Sequence, residues 1–105
     1  MATTRVDVTL SRKGVSGDEP TTLTFDQFPL MIGSADNNDL VVVDEMISRR
    51  HAIVEVRDGG LWLVDVGSVS GTVVNGRLGW GTWPIAPSLA ITLGAFNLVF
   101  TRIST

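Results

Sequence analysis

The sequence predicts an all-β fold, a two-sheet antiparallel β-sandwich of about ten to eleven short strands, and three observations predict it. Apolar residues recur with period two in one short run after another, as in Val6-Asp7-Val8-Thr9-Leu10 and Phe96-Asn97-Leu98-Val99-Phe100. Turn formers such as Asp58-Gly59-Gly60, Asn75-Gly76 and Gly94-Ala95 separate these runs. No window sustains a helical spacing of apolar positions long enough to build a helix.

The elements follow in order. Val6 to Leu10 alternates with Asp7 and Thr9 and reads as a strand with one wet face. Residues 13–20, rich in Gly, Ser, Asp and Pro, form a loop before Thr21 to Phe25, a run of β-branched and aromatic residues. Pro29 to Ile32 is a short strand that stops at Gly33. Leu40 to Val43, Ala52 to Arg57 and Leu61 to Val66 follow, the last two joined by the Asp58-Gly59-Gly60 hairpin. Asn75-Gly76 joins Thr72–Val74 to Arg77-Leu78. Trp83 to Ile85, Leu89 to Leu93 and Phe96 to Arg102 complete the chain, the last pair closing at Gly94-Ala95. The inward set is Val6, Val8, Leu30, Ile32, Val54, Val56, Leu63, Ile91, Leu98 and Phe100.

At 105 residues the length fits a single domain spanning 1–105, long enough for one unstapled core. A hydrophobic fraction of 44% against 18% charged residues is that of a chain that folds alone. Without cysteine there is no disulfide, thiolate metal site or cysteine nucleophile, which suits a reducing, cytoplasmic setting. The net charge of -3, with Lys13 the sole lysine, argues against a nucleic-acid partner. No apolar run approaches the ~20 residues of a membrane span, and Met1-Ala2-Thr3-Thr4 carries no apolar signal core. One histidine and scattered carboxylates lack metal-ligand spacing, so neither metal nor other cofactor is expected.

The chemistry-bearing residues fall in three loops: Gly33-Ser34, then Ser48-Arg49-Arg50-His51, then the stretch from Gly67 to Gly76. Three loops between short strands can converge at one end of a sandwich and present hydroxyls, amides and guanidiniums to one ligand. Ser48 offers a hydroxyl, and Arg49 and Arg50 offer forked cationic donors, of which strand geometry turns only one toward a shared ligand. A hydrolase reading of Ser48, His51 and Asp65 fails because Ser48 occupies no nucleophile elbow, and no catalytic residue is assigned.

The order Gly33, then Ser-x-x-His at 48–51, then Gly-Thr-x-x-Asn-Gly at 71–76, with the closing Leu89 to Phe100 hairpin, resembles the forkhead-associated (FHA) domain. The resemblance runs over 29–100, with Val6 to Leu10 completing it. It implies a phosphothreonine-peptide-binding sandwich whose partner is a protein or peptide. By that resemblance Ser34, Ser48, Arg49, Val69 and Ser70 face the partner, with Ser48 on the phosphate and Arg49 on the phosphate or peptide backbone. Gly33, His51, Gly71, Thr72 and Asn75 then shape the loops, His51 as a hydrogen-bonding brace. Two positions depart from the pattern: Ser34 stands where the family usually has arginine, and Ser70 where it usually has asparagine. A serine hydroxyl cannot supply the bidentate, permanently charged grip of a guanidinium. Asp36, Asp39, Asp44 and Glu45 also outnumber Arg49 and Arg50 in this stretch. The expectation is a module that binds protein weakly through phosphate or independently of it; the alternative is a phosphothreonine reader using Ser48, Arg49 and loop amides. Trp80 and Trp83 sit in a glycine-rich connection, where each either packs beneath the sandwich edge or stands out as a contact.

Overall fold

The computed structural model describes residues 4–14 and 19–104. The N-terminal segment read for a signal, Thr4 apart, and the middle of the loop expected over 13–20 lie outside these residues.

Among the described residues eleven strands form: β1 (Arg5–Arg12), β2 (Thr21–Phe25), β3 (Leu30–Gly33), β4 (Leu40–Val41), β5 (Ala52–Arg57), β6 (Gly60–Asp65), β7 (Thr72–Val74), β8 (Arg77–Gly79), β9 (Thr82–Ile85), β10 (Leu89–Leu93) and β11 (Phe96–Ser104). They build a six-stranded sheet in the order β2-β1-β11-β10-β7-β8 and a five-stranded sheet in the order β4-β3-β5-β6-β9. The hairpin signals act where the sequence places them. Asp58 and Gly59 take φ of 52° and 78°, and Asn75 and Gly76 take 52° and 82°, the positive pair of a two-residue hairpin turn that matches strand twist. The final strand outruns its expected end because Arg5 of β1 pairs with Ser104.

One pairing departs from an all-antiparallel sandwich: β3 and β4 run parallel, with Ile32 opposite Leu40 and Gly33 opposite Val41. The connecting loop curls back beside β3, and the Asp39 carboxylate accepts the Met31 N–H at 2.8 Å. A side chain thereby satisfies a strand donor that a longer antiparallel neighbour would have taken.

The core lies between the sheets. Val6, Val8, Ile91, Leu98 and Phe100 from one sheet and Leu30, Ile32, Val54 and Leu63 from the other are buried in one cluster. Val56 corrects the inward set, because it is 51% exposed. Strand β3 begins only at Leu30, opposite Val54, so no β3 residue flanks Val56. Val56 instead lines an open cleft with Phe28 and Pro29.

Candidate functional site

The three loops meet at one end of the sandwich through a continuous set of hydrogen bonds. The β3–β4 loop lies against the β4–β5 loop: Ser34 N–H donates to the Ser48 carbonyl at 3.0 Å, and Ala35 N–H to the Arg49 carbonyl at 3.2 Å. Asn38 doubles this seam, its Nδ2 donating to the Ala35 carbonyl at 2.8 Å and the Arg49 carbonyl at 2.7 Å. Gly33 is fixed here by close approach, since a Cβ at this position would run into the Arg49 carbonyl.

The β4–β5 loop is joined in turn to the β6–β7 loop. Ser48 Oγ accepts the Val69 N–H at 3.0 Å. His51, fully buried, accepts the Ser48 N–H on Nδ1 at 3.2 Å and donates from Nε2 to the Gly71 carbonyl at 2.8 Å. An amide can only donate and a carbonyl only accept, so these partners place the ring proton on Nε2. His51 therefore hydrogen-bonds to the backbone of two loops. It meets the backbone of Ser48 rather than its hydroxyl, so the nucleophile-base contact of a hydrolase is not made.

Asp65 organises the β6–β7 loop. Its carboxylate accepts Gly67 N–H at 2.9 Å and Ser68 N–H at 2.8 Å on Oδ1, and the Ser68 and Thr72 hydroxyls at 2.6 and 2.8 Å on Oδ2. The side chain is sealed from solvent. Burial by itself would raise the carboxyl pKa, but the bonds from Ser68, Thr72 and Gly67 outweigh it and hold the group below the ordinary carboxylate value. The Ser68 hydroxyl also accepts the Gly71 N–H at 3.0 Å, so one chain of bonds runs from Asp65 to the loop crest. Gly71 has φ of 82°, a conformation L side chains rarely adopt, and a Cβ there would press on Leu78 and Trp80.

The expected partner-facing residues come together at this end. Ser34, Ser48 and Ser70 are half-buried, Arg49 is exposed, and the Val69 side chain stands 87% exposed while its N–H bonds to Ser48. Among the described residues neither Arg49 nor Arg50 forms an ion pair. Thr72 is buried, its hydroxyl donating to Asp65. Asn75 is exposed in the β7–β8 turn; its N–H donates to the Ala90 carbonyl at 3.2 Å, and its side chain makes no hydrogen bond among the described residues. The positive φ of 52° at Asn75 is that of the two-residue turn. The two tryptophans divide: Trp83 packs on the core cluster, whereas Trp80 stays 57% exposed, with Nε1 donating to the Ser68 carbonyl at 2.8 Å.

Sequence reasoning assigned no role in the site to Asp65, Ser68 or Asn38. The Asp65-Val66-Gly67-Ser68 stretch carried a readable signal, an Asp placed to cap amides two and three residues on. The acids Asp39 and Asp44 serve the backbone too, Asp44 accepting Met46 N–H at 2.8 Å. A cleft of about 340 Å³ borders the loops, lined by Met46, Ser70, Gly71, Val73 and Leu78 among others.

Comparison with known proteins agrees with this geometry. The FHA domain family model matches residues 30–94. The oxoglutarate dehydrogenase inhibitor of Corynebacterium efficiens is 35% identical over 83 residues, covering 79% of this chain and 52% of that protein. The FHA domain-containing protein FhaB of Mycobacterium tuberculosis is 36% identical over 53 residues, covering 50% of this chain and 34% of that protein. The chain thus spans about half or less of the curated relatives it matches. A solved FHA domain, from a study of phosphothreonine-dependent FHA interactions, superposes with a TM-score of 0.74 at 25% identity, covering 94% of this chain and 99% of that one. With its three loops clamped at one end of an eleven-stranded sandwich, the chain belongs to the FHA domain family of protein-interaction modules.

Proposed function

We propose that this domain is a non-catalytic docking module whose loop end binds a protein or peptide with little or no dependence on phosphate. The observation that carries the reading is Ser34, a short neutral side chain beside Ser48, where a guanidinium would grip a phosphate. The Ser48 hydroxyl, which accepts the Val69 amide, keeps a single neutral O–H to donate, and the loop cations are two arginines among four acids. Charge-assisted bonds contribute about 1.5–3 kcal/mol each against about 1 for neutral ones, so two serines are a poor substitute.

Apolar contact can replace what the phosphate would supply. Val69, Met46, Leu78 and Trp80 each leave more than half of their surface in solvent around the loops, an unusual concentration on a small domain. Exposed Trp and aliphatic side chains beside a cleft are anchors for a partner's apolar residues. The competing reading is a phosphothreonine reader, favoured by the solved relative whose interactions are phosphothreonine-dependent and by the unpaired state of Arg49 among the described residues. A cytoplasmic setting belongs to the same proposal and rests on the cysteine-free sequence. So does the assignment of 1–105 to one domain.

Peptides selected from a library for binding, titrated in unmodified and phosphothreonine forms, test it. The two forms are expected to bind within about tenfold of one another. Micromolar binding that vanishes on dephosphorylation would overturn the proposal and establish the phosphothreonine reading.

A further inference from the structure

The outer faces of the two sheets differ in chemistry. On the six-stranded sheet the outer face carries a lattice of hydroxyls and amides centred on β2, β1 and β11, where Thr9 bonds Thr22 at 2.9 Å, Thr24 donates to Asp7 at 2.7 Å, and Thr92 donates to Asn97 at 3.0 Å, with the apolar pairs Ala90–Val99 and Val73–Leu78 on its β10, β7 and β8 side. That is the polar side expected of an antiparallel sheet facing water. The five-stranded sheet lacks it. Met31 lies opposite Ile53, Ile53 opposite Val64, and Glu55 opposite Trp62, while Val41 extends the row on β4 at 40% exposure. Residues 61–64 of β6, Leu-Trp-Leu-Val, are apolar on both faces, the pattern of a strand covered on two sides.

The charges on this outer face cancel locally. Glu55 and Arg57 form an ion pair with each other, and the Arg57 guanidinium sits 5.7 Å from the Trp62 ring centroid. The edges of the same sheet are poor templates for strand addition: β4 has two residues, and β9 carries Pro84. A partner reaching this sheet therefore meets it on its face.

We propose that the outer face of the five-stranded sheet, around Met31, Ile53, Trp62 and Val64, is a self-association surface that packs against the same face of a second copy. A two-fold interface sets a patch against itself, so any net charge on it would meet its like across the axis. A face whose ion pair closes internally meets that requirement. Two sheets of the same twist also stack aligned at about 10 Å, as the inner faces of sandwiches do. Five strands at about 4.8 Å, none longer than six residues at about 3.3 Å each, give a face of roughly 20–25 Å by 20 Å, about 400–500 Å², less than the ~800 Å² per partner of a long-lived dimer. The association is accordingly weak, with a dimer Kd of about 10–300 µM.

Sedimentation equilibrium from about 10 µM to about 1 mM, with concentration-dependent amide shifts, tests this on the full chain. The expected result is a monomer–dimer equilibrium, with shifts concentrated on β3, β5 and β6. Ile53→Lys, and separately Val41→Lys, should weaken it at least about tenfold, since each copy places a lysine against its counterpart. Thr22→Lys on the other sheet should leave it unchanged, and matching thermal transitions would show that the variants fold. A mass that stays monomeric to about 1 mM overturns the proposal. So does a dimer indifferent to Ile53→Lys and Val41→Lys, or shifts confined to the loop end.

Discussion

Replacing Asp65 by asparagine removes one charge and changes almost no volume, and the structure states what it should do. Four donors converge on the carboxylate: two backbone amides on Oδ1 and two hydroxyls on Oδ2. Whichever way the asparagine amide is turned, its NH₂ group faces two of those donors, and this side chain is sealed from solvent. Two stranded donors at about 1–3 kcal/mol each give a destabilisation of about 2–6 kcal/mol, partly relieved if the hydroxyls rotate. That is a large share of the 5–15 kcal/mol typical of a domain. The acid dependence changes as well. The carboxyl of Asp65 titrates lower in the folded chain than in the unfolded one, so between the two values the unfolded chain holds the extra proton and stability rises with pH. Its contribution is complete above the unfolded value of about 3.9 and disappears as pH falls through the folded value. Asp65→Asn has no such group to lose, so the difference between variant and wild type should narrow as the pH falls from about 5 to below 3. Urea denaturation of both proteins across that range measures the gap. A variant within about 0.5 kcal/mol of wild type at neutral pH, or a gap that does not narrow in acid, would refute the hub assigned to Asp65.

Three further outcomes follow from the same loops. Ser34→Arg should strengthen binding of a phosphothreonine peptide by about 1–3 kcal/mol, roughly fivefold to over a hundredfold, with the gain shrinking as salt rises; calorimetric titration at two ionic strengths reads it. Gly33→Ala should destabilise the domain by about 1–3 kcal/mol, because its Cβ meets the Arg49 carbonyl rather than a yielding side chain, and thermal unfolding reports the loss. Val69→Asp should leave stability within about 0.5 kcal/mol, since the side chain is 87% exposed, while weakening capture of selected peptides; equal losses in both assays would deny Val69 a partner-facing role.

Much of this protein is legible in its sequence because the deciding physics is local. Period-two alternation places the inner faces of β1, β5, β6 and β11, and Asn75-Gly76 and Asp58-Gly59 encode hairpin turns in their own backbone preferences. The glycine, serine and histidine spacing marks the three loops. What the sequence left open depends on which distant groups arrive side by side. Val56 alternates correctly yet lies exposed, since its burial required a β3 residue that begins too late to flank it. The parallel β3–β4 pair arises from a loop folded back and capped by Asp39, a path no strand propensity specifies. Asp65 and Asn38 look like ordinary polar residues until tertiary packing surrounds one with four donors and sets the other between two carbonyls. Alternation and turn chemistry are carried by neighbours along the chain, whereas a buried polar hub exists only once several segments have closed around it.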